Sequence, residues 1–556
     1  MEQLSAQDAT FLYVENEEVA NHVGGLYIYD QSTAPGGLVT FKYILKYLES
    51  KLHHVPRYRQ KLMHVPGDLD HPYWIDDEKF DIEYHVRHMA LPKPGDWRQL
   101  CILTSRIYDR PLDMSRPLWV YYIVEGLDNV DGLPEGSFAV ITKTHHAMID
   151  GVSGTAMATA LHNTEATSEL ETPPPWKPEP APNPFDLLTR AYMKNITQPL
   201  EFMQAMSRMM PAAQRVMTGL QEDKFKIPEA IGSVPRSRFN GDVSGHKVID
   251  GVSFDIADLK IIKDSVPKAT LNDVILTIGG GALRRYLLDK NELPEESLIT
   301  LSPVSVRAKE TSDPSHKETA AGGGNEVSGM LVSLGTDIED PMERLKHVHD
   351  SASNSKELTQ AIGARTLTDI SQFIPGVTMG LASRLASNLG LATQMQPIVN
   401  TVITNVPGPQ FPLYFCSAKM VNQYSLGIVQ DGLALFHGIL SYDGKLTITA
   451  MSDRDVMPDP DFYRECMQLA FEDLLKAAGK PSSSKASPAK TSPAKSGAAK
   501  TGGAKSGQAK SGTKTASSQK TSTRKSGTNK STAKPTARKS APKKNTGAKR
   551  RSGGSS

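Results

Sequence analysis

From residue 481 to its end, the chain holds 19 lysines and arginines, no aspartate or glutamate, and no large apolar side chains from which to build a core. Units such as Ser-Pro-Ala-Lys and Lys-Ser-Gly cannot bury enough surface to offset the entropy of ordering, so residues 479–556 are expected to form a disordered basic tail. Whatever folds must fold from the first 480 residues. With the tail's 19 taken from the total of 63, that body has 44 basic against 61 acidic residues, a net −17 joined to +19, and the overall +2 describes neither part. A body this long exceeds the roughly 250 to 300 residues at which single cores stop growing, so at least two packed domains are expected.

Three cysteines, Cys101, Cys416 and Cys466, stand far apart and suit neither a disulfide framework nor a metal cluster. A reducing cytoplasm fits them. The first residues lack the basic and apolar regions of a secretory signal, and no apolar run approaches the roughly 18 to 20 residues needed to span a bilayer. Contact with lipid is therefore expected to be peripheral.

The pattern of apolar residues is mixed α/β. Gly24 to Tyr29 reads as a strand, Val39 to His53 as a helix and Phe138 to Thr144 as a largely buried strand. Gly151 to Leu161, small and apolar, predicts a buried helix. The stretch from Thr172 to Pro180, rich in proline, cannot continue a helix or a central strand and marks an interdomain crossing. Pro199 to Met210 then places methionines at three- and four-residue spacing, a helical face suited to packing or to lipid contact. Further on, the reading gives a helix over Leu271 to Leu288 and a strand over Ile299 to Val306. A hairpin of Leu433 to Tyr442 and Lys445 to Met451 is joined by Asp443-Gly444. The expected division is 1–172, a linker and helical segment over 173–235, a second α/β domain over 236–478, and the tail over 479–556.

The chemistry concentrates at His145-His146-Ala147-Met148-Ile149-Asp150-Gly151, directly after the strand ending near Thr144. An imidazole with an unperturbed pKa of about 6.5 can accept a proton from an alcohol and return it to a thiolate leaving group, the two proton movements of acyl transfer. Asp150 can hold the local turn or an imidazole tautomer, and Gly151 permits a close backbone corner. A second pair, His53-His54, lacks a carboxylate and a glycine at the matching offsets and reads as structural. The chain has no Gly-rich phosphate loop, no His-Glu-x-x-His and no Gly-x-Ser-x-Gly. Nucleotide hydrolysis, zinc proteolysis and serine-hydrolase chemistry lose their main sequence support. Gly279-Gly280-Gly281 lies inside a helical pattern and reads as a close helix contact.

Alongside the histidine string stand Leu4-Ser5-Ala6-Gln7-Asp8, His22-Val23-Gly24-Gly25, Pro117-Leu118-Trp119, Asn272-Asp273, Pro303 to Arg307, Gly324-Asn325 and Thr404 to Pro409. In kind and order these resemble the bacterial wax ester synthase/acyl-CoA:diacylglycerol acyltransferase family, within the chloramphenicol acetyltransferase and condensation-domain superfamily, over about residues 1 to 475. The resemblance implies two acetyltransferase-like α/β domains with a tunnel between them. It implies His146 as general base, with His145, Asp150 and Gly151 maintaining the site and Asn272 and Asp273 important for activity. Pro117, Leu118, Trp119, Arg307, Asn325 and Asn405 are implied as substrate-contacting positions, although each also suits packing or a turn. The resemblance also implies acyl-CoA as co-substrate and a diacylglycerol or a long-chain alcohol as acceptor, and neither cofactor nor metal is expected.

The basic tail should attract polyanions, either anionic membrane and lipid-droplet surfaces or nucleic acid. An enzyme handling insoluble lipids gains more from the membrane, which favours a cytoplasmic protein peripheral on the inner membrane or on lipid inclusions. Two other functions share parts of the pattern: an amide-forming condensation domain, and a polyanion-binding protein with an inactive body. The first would normally adjoin carrier or adenylation modules, for which this chain has no room.

Overall fold

The run Ser137–His145 is buried at all nine positions, as an apolar stretch covered on both faces should be, and it lies inside a six-stranded sheet. The computed structural model describes residues 1–16, 18–149, 159–194, 234–305, 327–362 and 396–479. In the first half the strands are β1 (Glu2–Gln3), β2 (His22–Asp30), β3 (Gln60–Met63), β4 (Tyr73–Asp76), β5 (Val86–Ala90), β6 (Trp119–Leu127) and β7 (Ser137–His145). In the second they are β8 (Lys247–Asp255), β9 (Ile299–Ser305), β10 (Val327–Ser333), β11 (Thr401–Pro407), β12 (Tyr414–Phe415), β13 (Ala418–Leu426), β14 (Leu435–Tyr442) and β15 (Lys445–Asp453). The helices are α1 (Ala6–Tyr13), α2 (Phe41–Lys51), α3 (Ile82–His85), α4 (Trp97–Tyr108), α5 (Ile256–Asp264), α6 (Leu271–Asp289), α7 (Pro341–Ile362) and α8 (Pro460–Ala477).

Two mixed sheets of six strands organise the body, in the orders β12-β13-β2-β7-β6-β5 and β10-β9-β11-β14-β15-β8, with a small β1-β4-β3 sheet beside them. This is the expected α/β architecture with two sheet-rich halves. The halves are not separate in sequence, because β12 and β13 leave the second half to complete the first sheet. β13 runs antiparallel to β2, pairing Lys419 with Asp30 and Leu426 with Gly24. Residues 1–484 accordingly form one compact unit.

Local chemistry explains most boundaries. Thr40 caps α2 by accepting the Tyr43 amide, and Thr270 and Asp273 cap α6 reciprocally. Asp443 and Gly444, at φ 43° and 81°, supply the two left-handed positions of the tight turn between β14 and β15. At Gly280 in α6 a Cβ would collide with the Leu334 carbonyl, so the triple glycine serves close packing as its sequence suggests. The core of the second half gathers around α6, with Leu283, Tyr286 and Leu287 fully buried, and that of the first around Trp119, Tyr29 and Tyr47. Thr172 to Asn183 has neither helix nor strand, in keeping with a crossing, and a helix over 184–194 follows it. The helical readings of Gly151 to Leu161, except its last residues, and of Pro199 to Met210 lie outside the described residues, as does the tail from 480 onward.

Candidate active site

Side chains alternate along a strand, so the end of β7 sorts its residues onto two sides. Thr142, Thr144 and His146 face one way, into a cavity; Lys143 and His145 face the other, towards the chain that follows α1 and towards α4. After His145 the backbone enters a single 3-10 turn, His146–Met148. Three contacts fix it. The His146 amide donates to the Asn21 carbonyl at 2.8 Å, the Ala147 amide donates to His145 Nδ1 at 3.0 Å, and the His146 ring stacks on Phe11 with centroids 3.8 Å apart. Asn21 is itself tied to Phe11, whose carbonyl accepts from its side-chain amide at 2.7 Å. The half-buried imidazole of His146 is thus bracketed by residues 11 to 21.

The cavity, about 420 Å³, is walled by both halves of the body. Phe11, Tyr27, Tyr58 and Tyr121 come from the first half and Val402, Thr404 and Phe436 from the second. Met420 and Gln423 arrive on the exchanged strand β13, which explains why the fold carries that strand across. The wall is mainly apolar with a few hydroxyls and amides, the pattern of a small-molecule site. Burial holds the phenols of Tyr27, Tyr58 and Tyr121 above their ordinary range, so they remain neutral hydrogen-bonding groups. Tyr58 and Tyr121 also share a hydroxyl contact of 2.8 Å. At Gly24 a Cβ would collide with the Thr142 carbonyl, so the glycine lets β2 and β7 close tightly beside the site. A larger cleft, about 1190 Å³, lies between α4 and β8, but its Asp250 is engaged by Trp97 and Arg464 and it does not reach His146.

On the other side of β7, His145 is fully buried and its Nε2 meets Glu15 Oε2 at 3.1 Å. His22 lies directly across the ladder from His145, and its Nε2 stands 3.5 Å from Glu15 Oε1. Burial, with Lys143 and His145 nearby, pushes the His22 pKa well down, so this ring is neutral near pH 7. Burial likewise lowers Lys143 to about 7, against a smaller opposing pull from Glu15 and Asp109. Its ammonium donates to the carbonyls of Ile107 and Arg110.

The remaining positions expected from sequence fall into three groups. Pro117, Leu118 and Trp119 are packed in the core rather than in the cavity wall. The Trp119 ring lies between Tyr58 and His85, its indole donates to the Tyr58 carbonyl at 2.8 Å, and the Leu118 carbonyl receives the His145 amide at 2.9 Å. Asn272 and Asp273 sit at the start of α6, and Asn405 reaches Asn272 from β11. Asp273 caps that helix and accepts from His349 at 2.8 Å, while Asn405, on β11 between the cavity-facing Thr404 and Val406, donates to Asn272 at 3.3 Å. Asp150, Gly151, Arg307 and Asn325 lie outside the described residues. Glu15, Phe11 and Asn21 went unread in the sequence. Glu15 sits in a polar run that resembles an exposed turn, and 130 residues separate it from its partner.

A half-buried histidine at a sheet end thus faces a cavity shared by two mixed sheets, and solved structures share the fold that places it there. A trichothecene 15-O-acetyltransferase from Fusarium sporotrichioides shares the fold alone, with a TM-score of 0.53 at 10% identity over 85% of this chain and 94% of that one. A wax ester synthase/diacylglycerol acyltransferase from Marinobacter aquaeolei VT8 superposes with a TM-score of 0.59 at 25% identity, over 86% of this chain and all of that one. The wax ester synthase/diacylglycerol acyltransferase catalytic domain matches residues 4–275, and the C-terminal domain of the same family matches 323–475. A putative diacylglycerol O-acyltransferase of Mycobacterium tuberculosis is 31% identical over 461 residues, 83% of this chain and 87% of that protein. A second one, described as probable, is 31% identical over 485 residues, 86% of this chain and the whole of that protein. The chain belongs to the wax ester synthase/diacylglycerol acyltransferase family and is an O-acyltransferase.

Proposed function

We propose that the protein moves a fatty acyl group from acyl-CoA to a diacylglycerol, a long-chain alcohol or both, with His146 as general base. The observation that supports this best is the placement of the His146 ring, bracketed by Phe11 and Asn21 and facing a mainly apolar cavity built by both halves. The imidazole accepts the hydroxyl proton as the oxygen attacks the thioester carbon. The tetrahedral intermediate then collapses, the carbon–sulfur bond breaks, and the same proton passes to the departing sulfur. Such a route needs no covalent acyl-enzyme, cofactor or metal. In this reading His145 caps the turn that carries His146, and Asp150 helps to maintain the site. Asn405 ties β11 to the start of α6 through Asn272, Asp273 caps α6 and accepts from His349, and Pro117 to Trp119 support the end of β7 from the core.

The test offers the purified full chain labelled palmitoyl-CoA with hexadecanol or diacylglycerol and resolves the lipids. Wax ester, triacylglycerol or both should appear with matching release of coenzyme A. Coenzyme A released without either ester would contradict the reading. Among the described residues no helix is long and apolar enough to cross a membrane. The tail's 19 positive charges support attachment to an anionic membrane or lipid-inclusion surface. Truncation after residue 480 should abolish binding to anionic vesicles, and full-chain binding should weaken as salt rises. Unchanged vesicle binding by the truncated chain would remove the tail from this role.

A further inference from the structure

The buried side of β7 contains a carboxylate that no step of the transfer uses. Glu15 follows α1, is almost wholly covered, and meets His145 Nε2 with one oxygen, while the other stands 3.5 Å from the neutral His22 ring without a hydrogen bond to it. The proton arrangement follows from the contacts. A ring nitrogen that accepts a backbone amide carries no proton, so His145 Nδ1, which takes the Ala147 N–H, leaves the ring proton on Nε2. That proton points at Glu15 Oε2, 3.1 Å away. His145 is also the cap of the turn His146–Met148, so its tautomer decides whether the turn is held or opposed. With the proton on Nδ1 instead, two donors would face each other at Ala147 and the turn would lose its cap.

We propose that Glu15 is a positioning residue: its carboxylate accepts from His145 Nε2 behind the end of β7. It thereby fixes the His145 tautomer that caps the turn bearing His146. The inference rests on His146 being the base. Glu15 does not touch the cavity, and its influence reaches the chemistry only through the orientation of the next histidine. Lys143 faces the same cluster, with Asp109, Arg87 and Arg110 acting on it, and its side-chain nitrogen is directed at two backbone carbonyls.

Glu15→Met and Glu15→Gln, with His146→Ala in parallel, test this on the full chain with palmitoyl-CoA and hexadecanol. A misplacement of about 1 Å in a catalytic group costs on the order of 100-fold, so Glu15→Met should lower kcat by about that factor. Its KM for palmitoyl-CoA should stay within about twofold, because no substrate contact is lost. Glu15→Gln keeps an oxygen that can accept from His145 Nε2 and should restore kcat to within about tenfold of the parent. A merely structural glutamate would instead leave the two variants equal once their melting temperatures match. The proposal is overturned if Glu15→Met turns over like the parent, or if folded Glu15→Gln is as impaired as a variant with no acceptor. Should Glu15→Met fail to fold, Glu15→Gln decides alone: retention within about tenfold supports the contact, and a loss near 100-fold overturns it. A fully active His146→Ala would instead overturn the base assignment, whatever the Glu15 variants do.

Discussion

His145 and His146 adjoin in sequence, yet the surroundings they face differ in kind. In front of β7 lies a mainly apolar cavity to which both halves contribute, and of the adjoining pair only His146 lines it, with His162 elsewhere in the wall. Behind β7 lies a closed cluster of Glu15, His22, Lys143 and His145, charged by composition and held by specific contacts. The contrast teaches that a doubled histidine need not share one task. The strand's two-residue period sends one ring to the cavity and the other to the buried cluster.

Among changes that leave His146 in place, the largest effect should come from His145→Ala. It removes the cap on Ala147 and strands the Glu15 carboxylate, so kcat should fall on the order of 100-fold. Stability should drop by about 2 to 3 kcal/mol, from one orphaned amide and one buried charge without its partner. Urea unfolding and steady-state kinetics check both; unchanged kcat would erase the distinction between front and rear. A second effect tests the charge state of the rear cluster. Lys143 is lowered from 10.5 to about 7 by burial, so between those values an unfolded chain binds a proton that the folded chain does not. The parent should therefore gain stability relative to Lys143→Met as pH rises from about 7 towards 10, with no such trend below about 7. A stability difference that stays flat across that window would mean the ammonium is charged in the fold.

Much of this was legible in the sequence, for identifiable reasons. The stretch ending in the histidine pair reads as a buried strand because it is mostly apolar, and the observed β7 extends that reading by one residue at each end. The hairpin at Asp443-Gly444 and the packing role of Gly279 to Gly281 follow from backbone chemistry alone. Strand β13 was not legible. Its mixed sequence Ala-Lys-Met-Val-Asn-Gln-Tyr-Ser-Leu has no consistent alternation, and its partner β2 lies nearly the whole body away in sequence. Glu15 was hidden in the same way, since nothing local distinguishes it from its acidic neighbours Glu17 and Glu18. Pro117 to Trp119 show the opposite failure: a distinctive triplet near the site in sequence supports it from the core without entering the cavity wall.

The account depends on the ring at position 146 accepting the acceptor's proton, and ester formation by folded His146→Ala measures that directly. With a melting temperature matching the parent, this variant should lose at least about 100-fold in kcat, the lower end of what a positioned base contributes. Wax ester or triacylglycerol made at the parental rate would contradict it.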